Sequence, residues 1–202
     1  MYITYNHTTV TMRGRERETV QWLELCCTQQ SVSPSNMDDL EACSKLKNAV
    51  KQGNMTRVEE ALDMEGVNPN LRWSRDITSH TPLTCAVEMS RPDIIKLLLS
   101  HPNIQPNLNG LDGFTPLTLA VTKGSKEMVL VLLENPGCDP NLREGGGLTA
   151  LHLAIIYNNT EIVKILAEDE RTVKDMKVEG QTPLQLASSL DTPNQEIVEL
   201  LK

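Results

Sequence analysis

The chain has 202 residues, 39% of them hydrophobic, enough for a substantial core and an argument against disorder throughout. Only 3% are aromatic, with a single Phe, so any core must be assembled from Leu, Ile, Val, Ala and Met, a composition suited to closely packed helices. The formal charge is -8, and residues 1–36 are neutral, with Arg13, Arg15 and Arg17 against Glu16, Glu18 and Glu24. The negative excess therefore lies in residues 37–202, where it repels phosphate backbones and argues against nucleic acid as a ligand.

Cys26, Cys27, Cys43, Cys85 and Cys138 are odd in number, two are adjacent, and none forms a CxxC or a Cys/His cluster. Neither a disulfide framework nor a zinc site is indicated, and reduced thiols in a cytoplasmic or nuclear protein are the expectation. The N-terminus has no apolar run of a secretory signal, and no later stretch approaches a membrane span. The N-x-Thr triplets at Asn6, Asn54 and Asn158 are then read as chance.

Along the chain, residues 1–37 match nothing downstream. Thr19–Leu25 (TVQWLEL) has the spacing of a short amphipathic helix, but polar RGRERE precedes it and SVSPSN follows, so disorder is expected there. A helix start follows at MDDLEACSKLK, with Asp38 or Asp39 as its cap. The next segment, LKNAVKQGNMTRVEEAL, is the weakest of five related copies, and it lacks their opening as a terminal repeat often does.

The four strong copies are TPLTCAVEMSRPDIIKLLL from Thr81, TPLTLAVTKGSKEMVLVLL from Thr115, TALHLAIIYNNTEIVKIL from Thr149 and TPLQLASSLDTPNQEIVELL from Thr182. They begin 34, 34 and 33 residues apart. In each, a Thr hydroxyl stands where it accepts from the free amides of a starting helix, and Pro82, Pro116 and Pro183 take the first helical position. Leu117 and Ala120 share one helical face, and the small Ala lets a neighbouring helix approach closely. Gly124 interrupts, and a second stripe follows in Met128, Val129, Val131, Leu132 and Leu133. The stretch ENPGCDPNLREGGGL holds too many turn formers to continue a helix, and Gly145, Gly146 and Gly147 read as a hairpin tip where positive φ is useful. Helices this short are marginal alone, so stacking must complete the core.

The T-P-L-x-x-A opening, the mid-repeat Gly, the V-x-x-L-L stripe and the trailing P-N resemble the ankyrin repeat family, in order, over about residues 38–202. A tetratricopeptide array shares the period but not this signature. The resemblance implies an all-α fold, a solenoid of stacked helix-turn-helix units with β-hairpin-like loops, with repeats at about 42–74, 75–108, 109–142, 143–175 and 176–202. Two departures stand out. The loop LRWSRDITSH is enlarged, and the last unit spaces Ala187 and Val198 by 11 positions where Ala120 and Val129 take 9, which lengthens its SLDTPN connection. The chain ends at IVELLK without a recognisable polar capping helix, an end that burial by a partner, self-association or continuation of the chain would explain; a monomer is expected, with self-association through the C-terminal repeat left open.

Chemistry finds little support. His7, His80, His101 and His152 are scattered, no Ser or Cys sits in a nucleophile elbow, and EGGGLT lacks the Gly-Lys-Ser/Thr of a phosphate loop. His152 falls at the family's TPLH position, where the resemblance implies an imidazole bonding backbone groups of the adjoining loop. No catalytic residue, cofactor or metal is expected. The resemblance implies instead a protein partner on the concave face made by hairpin tips and the exposed edges of first helices. The candidate contacts are Trp73, Arg75, His80 and Met89 in the second unit, Phe114 and Lys123 in the third, and Arg143 and Tyr157 in the fourth, since aromatic and Arg side chains dominate interface energetics. Two functions fit: a stand-alone adaptor, scaffold or inhibitor, in the manner of ankyrin inhibitors of Rel-type transcription factors, or the recognition segment of a larger enzyme or ubiquitin-ligase component.

Overall fold

A hydroxyl at the start of a helix decides how each unit folds. In the computed structural model, which describes residues 3–5, 8–10, 37–75, 78–110, 113–190 and 192–202, Thr81, Thr115, Thr149 and Thr182 each cap a seven-residue helix. Their Oγ1 atoms accept from the backbone amides of Thr84 at 3.1 Å, Thr118 at 3.2 Å, His152 at 3.5 Å and Gln185 at 3.3 Å. Those amides would otherwise lack partners, and in the first three of these helices the start is buried. The caps open α3 (Pro82–Glu88), α5 (Pro116–Thr122), α7 (Ala150–Ile156) and α9 (Pro183–Ser189).

A tight turn then reverses the chain into a second helix. The turn needs one left-handed residue, and positions 53, 90, 124 and 158 supply it in successive units: Gly53 and Gly124, with Ser90 and Asn158 at φ 53° doing the same without glycine. The second helices are α2 (Met55–Leu62), α4 (Pro92–Ser100), α6 (Lys126–Leu133), α8 (Thr160–Glu168) and α10 (Gln195–Leu200). Asn54, Ser125, Asn159 and Asn194 cap four of them. Arg91, before α4, makes no side-chain cap; its Nη2 donates to the Gly53 carbonyl of the preceding unit at 2.8 Å and pairs with Asp93 at 3.0 Å. A side chain at Gly53 would collide with that guanidinium.

The first helices, led by α1 (Met37–Gln52), stack in the order α1, α3, α5, α7, α9, and the second helices stack behind them as a parallel layer. Ala86, Ala120 and Ala154 are fully buried where first helices meet, and Leu83, Leu117 and Leu151 seal the seam beside them. Ile94, Ile95, Leu98, Val129, Leu132, Ile162, Val163 and Leu166 fill the space between the layers. This is the all-α stack that the periodicity predicts.

Between units the chain crosses in loops held by side-chain amides. Asn70 donates to the Asn103 carbonyl at 2.7 Å and accepts from the Gln105 amide at 2.7 Å. Asn107 does the same to Gly137 and Asp139, and Asn141 to Arg171 and Val173. Arg171 adds a staple of its own: its guanidinium holds Asp169 at 2.6 Å and donates to the carbonyls of Leu133 and Cys138, tying the end of α6 to the next unit.

The enlarged LRWSRDITSH loop folds into strands β3 (Trp73–Arg75) and β4 (Thr78–His80), paired antiparallel with Trp73 opposite His80. The last tip is reduced to a single bridge between Val178 and Gln181. Near the N-terminus β1 (Ile3–Tyr5) pairs with β2 (Thr8–Val10); otherwise the disorder expected of residues 1–37 and the TVQWLEL helix concern residues outside those described.

Two expectations need correction. Met37 is already helical, so Asp38 and Asp39 lie inside α1 and neither is its cap. Of the three tip glycines, only Gly147 has positive φ, at 86°. The Gly145 backbone lies against Gly113 of the preceding unit, where a side chain would collide with it, and a side chain at Gly146 would strike the Glu144 carboxylate. That carboxylate folds back over the tip and accepts from the Gly146 amide at 2.7 Å and the Leu148 amide at 3.1 Å.

The packing makes two predictions. Ala120→Leu overfills the seam between α3, α5 and α7 and should destabilise the stack by about 1–3 kcal/mol; an unchanged denaturant midpoint would show that the seam has room. Hydrogen bonds from Arg171 hold the Asp169 carboxyl below the usual aspartate range. Its contribution is therefore complete above the unfolded value of about pH 3.9 and is lost as pH falls through the folded value. Asp169→Asn should cost stability at neutral pH, with the gap to the native chain closing on acid titration followed by circular dichroism. A gap independent of pH would mean the charge is not what holds Arg171.

Candidate interaction surface

The end of each first helix leaves two side chains outside the seam, because the burial of α3, α5 and α7 stops one residue short of the turn. Met89, Lys123 and Tyr157 are the C-terminal caps of these helices, and Leu190 takes the same place after α9. Glu88, Thr122 and Ile156 precede them. Stacking sets these pairs side by side: Lys123 Nζ reaches Glu88 Oε1 of the preceding unit at 3.2 Å. At the partly exposed surface such a pair is worth little by itself, but it fixes how the two helix ends face each other.

Three apolar side chains on this row are left to solvent, Met89 at 49%, Ile156 at 43% and Tyr157 at 56% exposure. A second row precedes the Thr caps at His80, Phe114, Leu148 and Gln181. Phe114 and Leu148 are half-buried and pack against the hydrophobic core, and His80 is half-buried, so this row is partly structural. Arg143 is exposed along its length but its head is engaged, donating to the Lys177 carbonyl at 2.8 Å and the Gly147 carbonyl at 3.2 Å. Trp73 and Arg75 are placed by backbone in β3, on the longest tip.

Of the eight residues predicted from sequence, Met89, Lys123 and Tyr157 thus share one row of helix ends. Phe114 and His80 form a second row beside the tips, and Arg143 bridges two tips. Ile156 and Leu190 extend the first row; Leu190 was missing from the positions expected on this face. The signal for Leu190 was available, since it lies 33 positions after Tyr157, as Thr182 does after Thr149.

The titratable groups of the core do no evident chemistry. Burial pushes the Cys85 thiol up and the Cys138 thiol up to about 12, which keeps both protonated and unreactive at neutral pH. His152 is buried with Nδ1 2.7 Å from Thr149 Oγ1, and burial, aided by Arg143, lowers its pKa so that the ring is neutral. The ring thus bonds the capping Thr within its unit, and it also faces the backbone of Met176 and Gln181 in the adjoining loop, where the bond was expected. Among the described residues no three His, Cys, Asp or Glu side chains gather as metal ligands would. A cleft of about 630 Å³ at the first unit, bordered by Lys45, Arg57, Glu60 and Met64, lies away from the row of helix ends. No helix among the described residues is long and apolar enough to cross a membrane.

Comparison with known proteins agrees with this architecture. The family described as ankyrin repeats (3 copies) matches residues 46–144 and 136–202. The solved structure titled "Crystal structure of the ankyrin repeat domain of Bcl-3: a unique member of the IkappaB protein family" is 27% identical, with a TM-score of 0.67, over 78% of this chain and 69% of that one. Among curated proteins none matches the sequence.

Burial separates the rows by their cost. Tyr157→Ala should change stability by less than about 0.5 kcal/mol, as exposed substitutions do. Leu117→Ala opens a core cavity and should cost roughly 2–5 kcal/mol, with Phe114→Ala between the two. Urea unfolding of the three variants checks the order; a Tyr157→Ala loss as large as that of Leu117→Ala would make the tyrosine part of the core.

Proposed function

The chain belongs to the ankyrin repeat family, a protein–protein interaction module, and on that premise we propose that it acts by binding a protein partner, without catalysis, on the face formed by its hairpin tips and first-helix ends. The observation that carries this reading is the row Met89, Lys123, Ile156 and Tyr157. Met89, Lys123 and Tyr157 sit at equivalent places in successive units with Ile156 beside Tyr157, and Met89, Ile156 and Tyr157 expose large apolar side chains that neither the caps nor the seams require. A row of this kind supplies anchors spaced by the unit repeat, with an ion pair between Glu88 and Lys123 holding the middle of it. Trp73 and Arg75 on the longest tip, with His80, Phe114 and Arg143, complete the proposed contact set.

Within this reading the chain is an adaptor, scaffold or inhibitor that holds its partner by surface complementarity. The likeness to the Bcl-3 domain, named as a member of the IkappaB protein family, favours that role over the recognition segment of a larger enzyme or ubiquitin-ligase component. A negative surface repels nucleic acid and suits a partner carrying basic groups around an apolar centre.

The test compares faces. Leu130, exposed at 41% on α6 of the second layer, serves as the control for an apolar side chain off the proposed face. Immobilised native chain, Met89→Ala, Tyr157→Ala and Leu130→Ala are exposed to the same cell extract. A partner of the proposed kind is retained by the native and Leu130→Ala chains, and binds about 1–4 kcal/mol more weakly to the anchor variants. A partner lost with Leu130→Ala and kept by Tyr157→Ala would place recognition on the opposite layer.

A further inference from the structure

The dipeptide Thr-Pro occurs four times among the described residues, and the stack uses it in two ways. At Thr81-Pro82, Thr115-Pro116 and Thr182-Pro183 the hydroxyl caps a helix and the proline is its first residue. Thr81 and Thr115 are buried, and all three hydroxyls accept from the third helical amide. At Thr192-Pro193 neither role applies. Both residues are exposed, and the cap of α10 is the following Asn194, whose Oδ1 accepts from Glu196 at 3.1 Å and Ile197 at 3.4 Å. Asn194 also anchors the end of the loop, donating to Asn158 Oδ1 at 2.8 Å and Thr160 Oγ1 at 3.1 Å. The Thr192 hydroxyl has no hydrogen-bond partner among the described residues. It stands in the helix connection that is two residues longer in the fifth unit than in the third.

We propose that Thr192 is a phosphorylation site for a proline-directed serine/threonine protein kinase. Such an enzyme needs an accessible hydroxyl on non-helical backbone, followed by a residue whose missing N–H leaves no donor unpaired in its pocket. Proline at the next position also biases Thr192 toward an extended backbone. Thr192 meets these requirements, whereas Thr81, Thr115 and Thr182 are locked into helix starts. In the transfer, Thr192 Oγ1 attacks the γ-phosphorus of MgATP. The new O–P bond forms as the bond from the γ-phosphorus to the bridging oxygen breaks, ADP leaves, and the hydroxyl proton passes to the kinase's base.

The product is accommodated by the fold, because the bonds that start α10 belong to Asn194 and stay in place. It sets a charge of about -1.5 to -2 beside Leu190, at the end of the row that runs through Met89, Lys123 and Tyr157. The modification site itself does not depend on the partner-binding reading.

The experiment treats the full chain, folded and heat-unfolded, with MgATP and a purified proline-directed kinase, and maps phosphate by peptide mass. The folded chain should carry phosphate on the peptide containing Thr192 and none on those containing Thr81, Thr115 or Thr182. Unfolding should bring phosphate onto those three as well. Thr192→Val should abolish the Thr192 signal, and Pro193→Ala should lose most of it, with the melting temperature unchanged in both. Peptide mapping separates any phosphate on Ser33, which also precedes a proline. No phosphate on Thr192 in the folded chain, or equal phosphate on Thr115 and Thr192, would overturn the assignment.

Discussion

The pitch of the stack depends on one side-chain amide in each of its first three units. Asn70, Asn107 and Asn141 each bond a carbonyl and an amide of the following loop, with distances from 2.7 to 2.9 Å. A donor and an acceptor on one rigid plane leave little freedom in either spacing or tilt, since a shift that relieves one bond strains the other. With loop spacing set in this way, the first helices meet at a fixed separation, and alanine is the side chain that fits at Ala86, Ala120 and Ala154. The loops and the seam thus hold each other, and each unit needs only its neighbours.

That nearest-neighbour construction frees the helix ends. A globular core would draw large apolar side chains inward from every direction, but a stacked unit satisfies its packing through the seam and the layer behind it. Met89, Ile156 and Tyr157 can therefore stay exposed without weakening the fold, and an extra strand pair can grow from one tip without disturbing the next. The lengthened connection before α10 is accommodated in the same way, since Asn194 restores the cap on its far side.

Equivalent places in the repeat are filled by different chemistry that meets the same local demand. The left-handed turn is glycine in two units and Ser90 or Asn158 in two others. Arg91 stands where a capping residue would, and serves the preceding unit through the Gly53 carbonyl. Arg171 gathers the carbonyls of Leu133, Asn135 and Cys138, where the preceding unit has only Asn135 reaching the Leu99 carbonyl. What repeats is the set of backbone groups that must be satisfied, and several side chains can meet it.

The helix pairs, the four Thr caps, the buried Leu and Ala positions and the two enlarged connections were legible in the residues. Each follows from local rules: a hydroxyl before a helix, proline at its first turn, a period of about 34 residues. The uses of Gly113, Phe114 and Arg143 were not legible, because each depends on an atom from another part of the fold. Gly113 has no room for a side chain because the Gly145 backbone of the neighbouring tip lies against it, and Arg143 is held by Lys177 in the next. The difference between a capping Thr-Pro and an exposed one is likewise invisible in the dipeptide. The sequence by itself determined that the chain is a stack and which face each helix buries, since both are set by hydrogen bonds and spacings within one unit. Only the tertiary structure decided which exposed positions remain free, because that depends on distances between units that local spacing does not encode.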